Sequence, residues 1–271
     1  MEKAFITGRG LITPLGTTLA VNEEGLRSGR SGIVQVPEFV EHQLESMVGG
    51  MANEKPECEL VDRKKMRFCP PTALMSIVTV LEALKEANIP LESLNEHRIA
   101  LIGGVAGSNN REIYEETRTY VENGFKLRGV SPYAVPRVMP SSAVSNLSLT
   151  LGLTGESYDV SAACASSAIA IMVGTRLIRS GMYDMVIAGG AEQIDWVQAL
   201  GFCACRALSK KYNDTPWRAS RPFDKGRDGF VLAAGSAWVV LESGASVAKR
   251  KVRAITEVSG VCSNSNAKDM V

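Results

Sequence analysis

The strongest constraint on this chain is an alternation. Short continuous apolar runs such as "AFIT", "RIALIGG" and "MVIA" alternate with longer stretches whose apolar residues have helical spacing. An apolar run of roughly four to eight residues suits a strand covered on both faces. Strands are expected at Ala4–Thr7, Arg98–Gly103, Tyr158–Ser161, Met185–Ala188, Ala237–Leu241 and Ala254–Val258. Helical patterns occupy Thr17–Arg27, Thr72–Ala87 and Ala165–Arg179. In the second, Leu74, Ile77, Val78, Val80, Leu81 and Leu84 form a near-continuous apolar face that ends before Asn88 and Pro90. Gly181 follows the third as a C-cap. Strands alternating with helices predict an α/β fold with a mostly parallel sheet between helices.

Two stretches interrupt the alternation. Residues 105 to 150 hold a polar helix and a Pro-containing loop, "RGVSPYAVPRVMPSSAVSN", long enough to be an insertion with its own role. Residues 203 to 230 are rich in Arg, Asp, Pro and Gly, and are expected to form an ordered loop anchored by Trp217, Phe223 and Phe230. No repeat or inter-domain linker interrupts the sequence, so one domain over residues 1–271 is expected.

Charge and cysteine usage narrow the function. Thirty Lys and Arg against 29 acidic residues provide no global field for nucleic acid or an anionic membrane. Neither a signal peptide nor a membrane-spanning run is visible. Six cysteines without regular spacing do not make a disulfide framework, and Cys203 with Cys205 lacks the partners of a zinc site. A cytoplasmic protein with reduced thiols, no metal and no cofactor is expected.

Within "SYDVSAACASSAIAI", Cys164 sits where a strand pattern gives way to a helical one. The unpaired N–H groups of a helix start stabilise negative charge, so a thiolate is favoured there. The same groups can receive the oxygen of a tetrahedral intermediate. Small neighbours, Ala162, Ala163, Ala165 and Ser166, leave room for a tight turn and for a substrate. Cysteine is also among the most buried residue types and packs as a small hydrophobe. Spacing alone leaves both readings of Cys164 open.

Other motifs favour structural explanations. "GGVAGS" at 103 to 108 lacks the spacing and lysine of a phosphate loop, and close backbone packing explains it better. "AGGAE" at 188 to 192 most simply marks a tight turn after a strand. "DRKKMRF" at 62 to 68 gathers four cations as a solvated face, or as a seat for an acidic partner or a phosphate.

Taken together, "SAACASS" around Cys164, "MVIAGGAE", "ALSKKYNDTP" and "SRPFDKGRDGFV" resemble the β-ketoacyl-acyl-carrier-protein synthases, the condensing enzymes of fatty-acid elongation. The opening "AFITGRGLITPLG" and the stretch "RSGIVQ" are similar to that family's start, and "LVDRKKMRF" and "KKYNDTP" resemble its type I branch. The likeness extends from Ala4 to Val271. It implies the first half of a thiolase fold. It also implies that Cys164 takes an acyl chain from acyl-carrier protein as a thioester, which the carbanion from malonyl-carrier protein then attacks. By the same resemblance Phe202 borders the acyl pocket, and residues 105 to 150 cross the interface of a homodimer. Lys64, Arg67, Lys126 and Arg128 match positions that meet the acidic carrier protein, where they would steer by charge.

The resemblance also implies two catalytic histidines, a lysine and a Gly-Phe-Gly segment in the second half of a longer chain. His42 and His97 match neither histidine, and "VCSNSNAKDMV" resembles the start of a mobile loop beside the active site. The groups for decarboxylation are therefore expected from a further half or a separate chain. Without that half, the apolar face of Ala165–Arg179 should lie exposed. Two other readings stay in view: a non-catalytic subunit that sets chain length and binds carrier protein, and a thiolase-like enzyme acting on coenzyme A thioesters. A thiol at 164 argues against the first. The basic patches and "SRPFDKGRDGF" argue against the second.

Overall fold

The computed structural model of the protein describes residues 2–53, 55–107, 109–265 and 267–268. Ser108 of "GGVAGS" and residues 266 and 269–271 of "VCSNSNAKDMV" lie outside the described residues. In chain order the elements are β1 (Ala4–Ile12), α1 (Leu19–Arg27), β2 (Ile33–Gln35), α2 (Pro37–Glu41), β3 (Val48–Gly50), α3 (Arg63–Met66) and α4 (Pro71–Glu86). Next come β4 (Ile99–Gly104), α5 (Asn110–Glu122), α6 (Ala134–Val138), α7 (Ser142–Leu151), β5 (Ser157–Val160) and α8 (Ser166–Arg179). The last are β6 (Met185–Glu192), α9 (Trp196–Ala204), β7 (Gly235–Ser243), α10 (Gly244–Arg250) and β8 (Thr256–Glu257).

The main sheet has the order β5-β4-β6-β7-β1-β8. β4 pairs in parallel with β5 and β6, while β7 is antiparallel to both β6 and β1. β1, β4, β5 and β6 therefore share one direction and β7 and β8 run against them, which makes the sheet mostly parallel by strand direction. Helices cover both faces, α4 and α7 on one side and α8 on the other.

The period-two geometry of strands divides the core into two layers. Ile99 and Leu101 of β4, with Met185 and Ile187 of β6, pack beneath Leu74, Ile77, Val80 and Leu84 of α4. Their neighbours Ala100, Ile102, Val186 and Ala188 face the opposite way, onto Ala170 and Ile178 of α8. This double burial explains why these strands read as unbroken apolar runs.

Four expectations need correction. "AGGAE" is not a turn but the end of β6, buried as far as Ala191. The second half of the expected loop in 105–150 is helical, because α7 buries Val144 and Leu147 against the α4 layer and closes on Gly152 in the left-handed conformation. Trp217 and Phe223 do not anchor the 203–230 segment, being 63% and 98% exposed, whereas Phe230 does pack edge to face on Phe202. The Asp228 carboxylate holds it instead, accepting from the Ser209 hydroxyl and the N–H groups of Lys210 and Lys211 at 2.7–2.9 Å. Finally, α8 exposes no large apolar side chain: Met172 and Ile178 are buried, and Ile169, Ile171 and Leu177 are half-buried. Its sheet contacts and the neighbouring β8 segment cover more of the helix than its spacing suggests.

Candidate functional site

Cys164 lies in the five-residue turn between β5 and α8, at the carboxyl ends of β4, β5 and β6. Open α/β sheets place their ligands at this edge, where strands stop and helices begin. Ala165 is the N-cap of α8, so Cys164 stands one residue before it. The preceding Ala163 has φ +48°, a left-handed conformation unusual for a residue with a side chain and a local store of strain.

Ser166 locks this turn. Its hydroxyl accepts from the Ala162 N–H at 2.8 Å and donates to the carbonyl of Ala163 at 2.6 Å or of Val105 at 3.0 Å. Two glycines make the approach possible. A Cβ at Gly104 would overlap the Ser166–Ser167 backbone, and one at Gly190 would overlap the Gly104 carbonyl and the Ser167 hydroxyl. The first turn of α8 thus rests directly on the ends of β4 and β6, as the close-packing reading of "GGVAGS" expects. The Cys164 side of the turn stays exposed.

The thiol opens onto a cavity of about 510 Å³, lined among others by Glu192, Gln198, Phe202, Phe230 and Leu232. Phe202 and Phe230 meet edge to face at 5.4 Å, so Phe202 lies in the same cavity as Cys164. Glu192, at the end of β6, accepts from the Gly107 and Ala106 N–H groups at 2.9 and 3.2 Å. Burial pushes its carboxyl above the ordinary glutamate range, and these backbone hydrogen bonds oppose that rise.

Lys64, Arg67, Lys126 and Arg128 are all exposed. Among the described residues, none of the four is held in a salt bridge. Lys64 is in α3, and Arg67 just beyond it donates to the Tyr133 hydroxyl at 3.2 Å. Lys126 and Arg128 belong to the segment between α5 and α6. The two histidines do not line the Cys164 cavity. His42 packs edge-on against Trp196 at 4.0 Å, and His97 borders a separate polar recess with Arg98 and Tyr183.

Sequence reasoning passes over Gln198, Glu192 and Phe230 as cavity residues. One signal was available: Asp195 precedes an apolar stretch and caps α9, its carboxylate accepting from the Gln198 N–H at 2.8 Å. That N-cap pattern marks a helix start, and the helix carries both Gln198 and Phe202 to the cavity. Among the described residues, no group of three or more His, Cys, Asp or Glu side chains is placed to hold a metal ion. No helix among them is long and apolar enough to cross a membrane.

Known proteins resemble this chain in sequence and fold. Residues 1–246 fit the family model described as "Beta-ketoacyl synthase, N-terminal domain". The whole chain is 37% identical to 3-oxoacyl-[acyl-carrier-protein] synthase 1 of Haemophilus influenzae and 35% identical to that of Escherichia coli K12, covering 66% of each. It therefore spans slightly less than two thirds of the length of these relatives. A crystal structure of a β-ketoacyl synthase from Burkholderia phymatum superposes with a TM-score of 0.87 at 28% identity, over 95% of this chain and 63% of that one. A ketosynthase solved with its acyl-carrier protein shares the fold, with a TM-score of 0.81 at 22% identity over 98% of this chain and 64% of that one.

Proposed function

Because the chain belongs to the β-ketoacyl synthase family, we propose that it is the acyl-accepting domain of a 3-oxoacyl-[acyl-carrier-protein] synthase of fatty-acid elongation, with Cys164 as the acceptor. One observation carries this reading: an exposed thiol, one residue before the cap of a long helix, opens on a cavity walled largely by apolar side chains. In the proposed step the Cys164 thiolate attacks the carbonyl carbon of an acyl thioester. A new C–S bond forms to Cys164, the bond to the carrier's sulfur breaks, and the carrier leaves as a thiol with the proton that Cys164 released. The acyl tail runs along the apolar wall that Phe202 and Phe230 form, where burying hydrocarbon against the rings is favourable. The following condensation with a malonyl thioester needs groups that stabilise an enolate. His42 and His97 face elsewhere, so those groups are proposed to come from outside residues 1–271.

The partner is proposed to be acyl-carrier protein. The exposed cations Lys64, Arg67, Lys126 and Arg128, none of them in a salt bridge among the described residues, suit an acidic surface, for which they would raise the association rate. A homodimer is proposed through the α5–α7 region. Val121, Phe125, Leu127, Val135 and Leu149 are 50–76% exposed there, an apolar surface of the kind that association buries.

Intact mass spectrometry after incubation with an acyl-carrier-protein thioester tests the assignment. The expected result is one acyl adduct that Cys164→Ala abolishes. An adduct that persists in Cys164→Ala, or no adduct at all, removes Cys164 from the role.

A further inference from the structure

The helix after Cys164 begins without a side-chain cap. Thr18, Asp62, Asn109, Asp195 and Ser243 accept N–H groups in the first turns of α1, α3, α5, α9 and α10. Ala165, at the head of α8, has no side chain to do so. A hydroxyl stands one residue on, at Ser166, but it points back toward the turn. It accepts from the Ala162 N–H at 2.8 Å and reaches the carbonyls of Ala163 and Val105 at 2.6 and 3.0 Å. All three groups lie outside the helix, and Ser166 is buried, so water does not compete for them.

These bonds surround the peptide from which Cys164 projects. The Ala163 carbonyl belongs to the planar peptide that ends at the Cys164 nitrogen, so holding it fixes that plane and the direction in which the thiol leaves the chain. Ala163 needs to be held, because a φ of +48° is unfavourable for a residue with a side chain. The Val105 carbonyl ties the same turn to the end of β4. The hydroxyl has one hydrogen and serves one carbonyl at a time, while its lone pair keeps the Ala162 N–H.

We propose that Ser166 is a positioning residue for acyl transfer: its hydroxyl holds the left-handed turn so that the Cys164 sulfur meets the carbonyl carbon of a bound thioester. This rests on the reading of Cys164 as acyl acceptor. Ser166 takes no part in the transfer itself. The acyl carbon exchanges its bond to the donor sulfur for one to Cys164 Sγ, and the donor leaves as a thiol with the proton that Cys164 released. Without the hydroxyl, the Ala162 N–H loses its acceptor and Ala163 relaxes toward an ordinary φ. The thiol then keeps its reactivity and loses its aim, and a misplacement of about 1 Å costs up to about a hundredfold in rate.

The test follows loading of the full chain by intact mass over a range of concentrations of one acyl-pantetheine thioester. Ser166→Ala is expected to lower the maximal loading rate about tenfold and to leave the half-saturating concentration unchanged. Ser166→Thr, which keeps a hydroxyl, should load within about twofold of the wild type. Alkylation of Cys164 by iodoacetamide, a small reagent that needs no fixed approach, should have the same rate and pH profile in all three chains. Wild-type loading by Ser166→Ala overturns the proposal, as does an equal loss in Ser166→Thr. A parallel fall in alkylation overturns it too, because the hydroxyl would then act on the thiolate and not on its aim. One measurement needs no variant to fold: the Ala162 amide of the wild type should exchange its hydrogen slowly, and prompt exchange there overturns the proposal. No loading by the wild type overturns the Cys164 reading, and this one with it.

Discussion

Cys69 and Cys164 hold the same position relative to a long helix, and their environments differ completely. Cys69 stands two residues before Pro71, where α4 begins; Cys164 stands two residues before Ser166, where α8 begins. Cys69 is 3% exposed, and its thiol contacts the Pro70 carbonyl at 3.9 Å. Burial pushes that thiol up to about 12, and the nearby Arg137 guanidinium only partly offsets the rise. Cys164 is exposed and opens on a cavity. The helix terminus is common to both, so it is not what separates the buried cysteine from the exposed one proposed as acyl acceptor. Solvation of the thiolate decides, because desolvation at Cys69 outweighs whatever the helix field contributes.

The largest test of this contrast is alkylation. With a thiol at about 12, Cys69 is ionised to about one part in ten thousand at pH 8. Peptide mapping after brief iodoacetamide treatment should show Cys164 modified and Cys69 untouched until denaturant unfolds the chain. Comparable labelling of the two in the folded protein would break the comparison.

A second test concerns what lies under each cysteine. The layer below Cys69 is apolar, whereas the strand leading to Cys164 carries Asp159, whose Oδ2 is buried without a hydrogen-bond partner. Burial pushes this carboxyl up to about 7, and a hydrogen bond from the Val144 N–H opposes that rise. The native state therefore keeps a proton that the unfolded chain releases near pH 4. The stability that Asp159 contributes is complete below that pH and is lost as pH rises through 7. The difference between wild type and Asp159→Asn in urea unfolding should change by on the order of 4 kcal/mol from pH 4 to pH 8. A pH-independent difference would show that Asp159 is solvated.

The smallest effect sharpens the contrast at the surface. Lys64 and Arg67 lie just before Cys69 in the chain. On the proposed function this approach to a helix serves through its charge, and the approach to α8 through its thiol. Lys64→Glu with Arg67→Glu should weaken association with acyl-carrier protein about tenfold at low salt and flatten its salt dependence. Unchanged binding would remove these two residues from the interface.

Much of the fold is legible in the sequence for a simple reason. Strands buried on both faces must be apolar at every position, so β4 and β6 appear as unbroken runs, and α4 shows its buried stripe directly. The junction at Cys164 is legible because a β-rich run meets a cluster of small residues. α7 is hidden, since "SSAVSNLSLTL" has the composition of a loop and becomes helical through the packing of Val144 and Leu147 beneath α4. The end of β6 is hidden for a related reason: its glycines are there for close approach, yet read alone they signal a turn.

The sequence by itself therefore determined the alternation of elements, the mostly parallel sheet and the place of one cysteine before a helix, because each depends on neighbours along the chain. Tertiary structure decided which of the two cysteines stays in water, which glycines yield space to α8, and that Gln198 and Phe202 from α9 line the same cavity as the thiol in the turn after β5. Solvation and cavity walls are made by residues distant in sequence, and local periodicity does not record which distant residues will meet.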